Sequence, residues 1–115
     1  MRVDFPIPIA EFAATLLALP DQIDEQEHAV IEASACVRRM KDALEYREGF
    51  LIEAGEITGA NEKARALQLK GLTVNEREKV AQAQEALDHE ARRLHFLQNK
   101  IAAYRAAARL IGGSE

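Results

Sequence analysis

At 115 residues and a net charge of −4, the chain has the size of one domain and no global positive field to hold a polyanion. Hydrophobic residues, largely alanine, make up 48%, aromatics 5% and charged residues 30%, with no tryptophan, which is the balance of long helices and coiled coils. The single cysteine, Cys36, excludes an internal disulfide and a cysteine-rich zinc site and suits a reducing compartment, so the cytoplasm is the expected location.

In chain order the first piece is an arm, residues 1–8, whose Phe5-Pro6-Ile7-Pro8 run predicts extended backbone. Asp4, Pro6, Pro8 and Glu11 interrupt its apolar character and no small-residue cleavage site follows, so no secretion signal is expected. No run reaches the roughly 18 apolar residues that span a bilayer, so no membrane partner is expected. Residues 9–19 place Ile9, Phe12, Ala13, Leu16 and Leu17 at helical spacing and stop before Pro20. This predicts a short apolar helix that must dock on something to persist.

From Pro20 to Gly55 the spacing predicts a first long helix, with Asp21, Asp24, Glu25 and Glu27 complementing the positive end of its dipole. Ile23, Val30, Val37, Leu44 and Leu51 recur every seven residues, with Gln26, Ala33, Met40, Arg47 and Ala54 at the other seam position. Residues 56–72 read as a helical connector in which Asn61 suits a cap. Neither Gly55 nor Gly59 gives the phosphate-loop spacing with Lys63, and no strand precedes them.

The connector run Thr58-Gly59-Ala60-Asn61-Glu62-Lys63-Ala64-Arg65 resembles a motif of small uncharacterised bacterial and prophage-encoded two-helix proteins. The resemblance rests on Gly59, Asn61, Glu62 and Arg65. It implies a phage-related accessory protein of unassigned activity, with Asn61 and Arg65 as caps or a contact point, and no catalytic residue.

The second long helix, 73–111, opens with Thr73-Val74-Asn75-Glu76, the spelling of a capping box, and ends at Gly112-Gly113. Its seam is Val80, Leu87, Leu94, Ile101 and Ala108 with Ala83, Glu90, Leu97, Tyr104 and Ile111. The two ladders predict an all-α antiparallel hairpin with a short N-terminal helix and a helical connector. One register matches the full seams, setting Leu51 opposite Ala83, Val37 opposite Leu97, Met40 opposite Leu94, Val30 opposite Tyr104 and Ile23 opposite Ile111. In that register Arg47 and Glu90 form a register-setting ion pair inside the seam, and Glu27 meets Arg105.

Chemistry is sparse. Glu25 and His28 are spaced as half of a di-iron motif, but the second half is missing and the heptad points His28 outward. Ser34 and Ser114 are the only serines, and nothing is placed to activate them or Cys36. No enzyme, cofactor or metal is expected. Residues 91–111 carry Arg92, Arg93, Lys100, Arg105 and Arg109 with no acid, and interleaved Phe96 and Tyr104, a pattern compatible with a nucleic-acid face. The favoured account has these cations answering the acidic start of helix one. Phe96, Ala103 and Leu110 form a second apolar stripe too wide for one partner helix. The short helix with Phe12 and Leu16, in cis or donated by a second copy, is expected to cover it, and two hairpins would make a four-helix bundle. The function expected is a non-enzymatic scaffold or adaptor, a homodimer or higher oligomer that also contacts another protein. The alternative is a nucleic-acid accessory factor using Arg92, Arg93, Lys100 and Arg109.

Overall fold

The computed structural model describes residues 8–112 and is all-α there: α1, Ile9–Glu53; α2, Glu62–Leu72; and α3, Val74–Gly112. Of the extended arm expected at 1–8, residues 1–7 lie outside the described residues. The chain divides into two compact units, one formed by residues 8–30 with 89–112 and the other by Ile31–Asp88, and α1 and α3 each contribute to both.

The short helix expected at 9–19 does not end at Pro20. Instead α1 runs for 45 residues with Pro20 inside it. It opens with the Phe12 amide donating to the Pro8 carbonyl. A proline within a helix loses one backbone hydrogen bond and crowds the carbonyl four residues back, a cost of about 3 kcal/mol. Here Pro20 faces solvent, while Phe12, Leu16, Leu19 and Ile23 continue the alternating four-and-three spacing across it. Phe12 and Leu19 are buried and Leu16 half-buried. At roughly 1.5–3 kcal/mol for each large apolar side chain fully removed from water, their burial offsets the proline.

In the first unit Leu19, Leu97 and Ile101 form the core, with Leu16, Ile23 and Tyr104 packed around it. Phe12 stacks on Tyr104, ring centroids 4.8 Å apart and planes within 4°. The register therefore differs from the one the ladders suggested. Tyr104 meets Phe12 rather than Val30, a displacement of about five helical turns, ~27 Å at 1.5 Å per residue. Ile23 packs near Leu97 and Ile101 rather than opposite Ile111. The expected register sets residues 9–19 apart from the first seam, and a seven-residue repeat by itself does not fix how far one helix slides along the other. Gln26, buried in the seam, donates from Nε2 to the Glu90 carbonyl oxygen at 2.9 Å and also to the Glu90 carboxylate.

In the second unit Val37, Leu51 and Ala83 are buried. The chain leaves α1 through Gly55, whose φ of +74° is a conformation L side chains avoid. The Gly55 amide donates to the Ile52 carbonyl and the Glu56 amide to the Leu51 carbonyl, the two bonds of a Schellman ending. Asn61 caps α2 as expected, its Oδ1 accepting from the Ala64 amide at 2.8 Å. Thr73 departs from the capping-box reading. It is fully buried, its hydroxyl donates to the Leu69 carbonyl at 2.7 Å, and it accepts from Arg77 Nε at 2.9 Å. Arg77 in turn reaches Glu48 at 3.5 Å. Thr73 thus fastens the end of α2 to the start of α3.

Candidate interaction surface

The register decides which expected site residues remain available. Phe12, 8% exposed, and Leu16, half-buried, line the inner seam, so they are not a docking element waiting for a partner. The reason is Pro20, a helix boundary by local pattern that nevertheless leaves α1 continuous, so that both residues reach the α3 seam in cis. Phe96 and Leu110 stay outside, at 62% and 71% exposure, with Ala102, Ala103 and Ala106 also exposed on α3. The segment expected to cover this stripe is already packed against Leu97, Ile101 and Tyr104. Arg92, Ala91, His95, Phe96 and Asn99 line a shallow hollow of about 480 Å³ on the same helix.

Periodicity explains why this face is outward. Successive residues turn by about 100°, so a stripe through 96, 103 and 110 lies well over 90° around α3 from the seam carried by 97, 101 and 104. The matching outward line on α1 passes through Ala10, Ala14, Leu17, Asp21, Asp24 and His28, all exposed, with Leu17 at 78%. Leu17 was grouped with Phe12 and Leu16 by its spacing, yet only once α1 is known to continue does its outward position follow.

The cations part company with their expected partners. Arg105 follows Tyr104, whose ring lies on Phe12, so Glu27 is about 15 residues, ~22 Å along α1, from that layer. The expected Glu27–Arg105 pair is therefore replaced by a register that separates them. Among the described residues Arg92, Arg93, Arg105 and Arg109 have no carboxylate within 4 Å. Arg93 faces a polar hollow of about 400 Å³ with Gln22, Glu25, Gln26 and Leu97. Lys100 is half-buried with Nζ over the Tyr104 ring, 5.9 Å from its centroid. The register-setting pair also takes different partners: Arg47 lies 4.0 Å from Glu76 and 5.4 Å over the Phe50 ring, while Glu90 accepts from Gln26.

Comparison with family models, curated proteins and solved structures returns no match.

The connector holds itself together. Gln68 Oε1 accepts from the Thr58 and Gly59 amides, and its Nε2 donates to the Glu56 carbonyl and the Thr58 hydroxyl. Arg65 donates to the Gly59 carbonyl at 3.3 Å, which makes it a brace within its own loop. Beside it Ile52, Ile57, Glu62, Arg65, Ala66 and Leu69 border an open hollow of about 450 Å³. Gln68 escaped the sequence reading, since a lone glutamine in a polar connector carries no pattern. Reactive groups are dispersed. His28 sits 3.8 Å from Asp24 on the exposed face, Cys36 is half-buried, and among the described residues no three His, Cys, Asp or Glu side chains converge as a metal site. No described helix is long and apolar enough to cross a membrane.

Proposed function

We propose that this protein is a non-enzymatic helical scaffold or adaptor that works by protein–protein contact through the outward face of α3. One observation carries the reading: Phe96 and Leu110 remain exposed although residues 9–19, the segment expected to cover them, belong to α1 and are used on the inner seam. Exposed apolar side chains aligned on one helix face fit the groove or face of another helical protein.

A second reading, a nucleic-acid accessory factor, draws support from Arg92, Arg93 and Arg109 lacking carboxylate neighbours among the described residues. The two separate by salt. Three arginines each neutralising a phosphate give a log–log slope near −2.7, a loss of roughly fortyfold in affinity between 50 and 200 mM salt. Docking through an apolar face changes little over that range. The test is binding measured across this salt range for wild type, for Phe96→Glu with Leu110→Glu, and for Arg92→Glu with Arg93→Glu. The scaffold reading expects salt-insensitive binding abolished only by the apolar pair of changes. Steep salt dependence abolished by the arginine changes would replace it with the nucleic-acid reading.

A further inference from the structure

We propose that the occupant of the α3 face is the outward face of α1 from a second copy of this chain, giving a head-to-tail assembly. The inference rests on the reading of α3 as a docking face and names its partner.

Charge decides between the pairings that two copies could make. The outward line of α1 carries Asp21 and Asp24, with Glu25 and Glu32 beside them and no lysine or arginine in residues 9–37, whereas the outward line of α3 carries Arg92 and residues 91–112 hold no acid. Two α1 faces would therefore repel each other, and two α3 faces would offer Arg92 no opposite charge. Only α1 against α3 joins opposite signs.

The apolar residues agree with the charges. The outward line of α1 begins with Ala10, Ala14 and Leu17 and turns acidic at Asp21 and Asp24. The outward line of α3 begins with Arg92 and Phe96 and ends with Ala103, Ala106 and Leu110. Laid antiparallel, as the two helices already are inside the first unit, the small and apolar halves meet, and the acidic turn meets Arg92. Leu17 projects among alanines, whose size lets the helices approach closely, while Phe96 and Leu110 flank the small stretch of α3. All these residues belong to the first unit and are exposed.

Because the α1 and α3 faces lie on opposite sides of the helix pair, a copy cannot engage both faces of one partner, so the contact is heterologous, leaves an unused face at either end, and the assembly grows or closes into a ring. Light scattering after size exclusion tests this on the full chain. Wild type should exceed the dimer mass as concentration rises through tens of micromolar. Leu17→Glu alone and Leu110→Glu with Phe96→Glu alone should each run as monomers, with helix content checked by circular dichroism. Their equimolar mixture retains one intact α1 face and one intact α3 face and should give a one-to-one dimer that grows no further. Dimerisation of either variant alone would overturn the proposal in favour of a like-with-like contact. A monomeric wild type would overturn self-docking; the scaffold reading fails separately, if the α3 variant keeps full, salt-insensitive binding to other proteins.

Discussion

Gly59→Ala and Gly71→Ala should move stability in opposite directions although both glycines flank or lie in the same short helix. A Cβ on Gly59 would stand 2.7 Å from the Arg65 amide nitrogen and 2.8 Å from the Ala64 carbonyl carbon. Both are backbone atoms, and the first turn of α2 cannot easily give way. It is held by the Asn61 cap, by the two amides that Gln68 receives and by the Arg65 bond to the Gly59 carbonyl. Overpacking of this kind costs about 1–3 kcal/mol. A Cβ on Gly71 meets nothing within 4 Å, and the residue is helical. Alanine there restricts the unfolded chain and should stabilise by about 0.4–1 kcal/mol. Urea denaturation gives both values, and hydrogen exchange across residues 58–68 shows whether the Gly59 loss is local. If Gly59→Ala matches wild type in stability and exchange, the close packing of the loop on α2 is wrong.

Three further outcomes follow from the packing. Phe12→Ala should cost about 3–5 kcal/mol, and a double-mutant cycle with Tyr104→Ala should return a coupling of about 0.5–1.5 kcal/mol for the stacked rings; zero coupling would remove the contact. Thr73→Val keeps the shape but deprives the Leu69 carbonyl and Arg77 of a partner, so unfolding should become easier by about 1–3 kcal/mol, while Thr73→Ser, which keeps the hydroxyl, should lose less. Phe96→Ser and Leu110→Ser should stay within about 0.5 kcal/mol of wild type in thermal or chemical unfolding, because neither side chain supports the fold; a larger loss would mean the stripe is structural.

The parts legible in sequence are those fixed by local pattern. Every seam position expected on α3, from Val80 to Ile111, is buried or half-buried, and on α1 the same holds from Ile23 to Leu44. Beyond Leu44 the inward line passes through Glu48 and Leu51 while Arg47 and Ala54 are exposed, and Glu48 there pairs with Arg77, which also bonds the buried Thr73. Pro20 misled because it is a strong local signal, yet the Phe12, Leu16, Leu19 spacing was present in the sequence and outweighs it energetically. Register was not legible: a repeat of seven is satisfied by several alignments, and the choice falls to contacts without periodicity, such as Gln26 with Glu90 and Arg77 with Glu48. Thr73 shows the same limit. Its spelling fits a cap, but burial turns the hydroxyl toward a carbonyl instead. The stripe of Phe96 and Leu110 is visible from spacing alone, whereas its exposure among the described residues depends on register.

That register determines which face of α3 is exposed and which arginines lack a carboxylate neighbour among the described residues. Spin labels on Arg105→Cys paired with Glu11→Cys or with Glu27→Cys, in a Cys36→Ser background and diluted with unlabelled protein, read it directly by pulsed dipolar spectroscopy. The structure predicts the shorter distance for Glu11 with Arg105, and a separation greater by ~20 Å along the helix for Glu27. The reverse order would contradict the packing of α1 on α3 and, with it, the exposed face on which the functional reading depends.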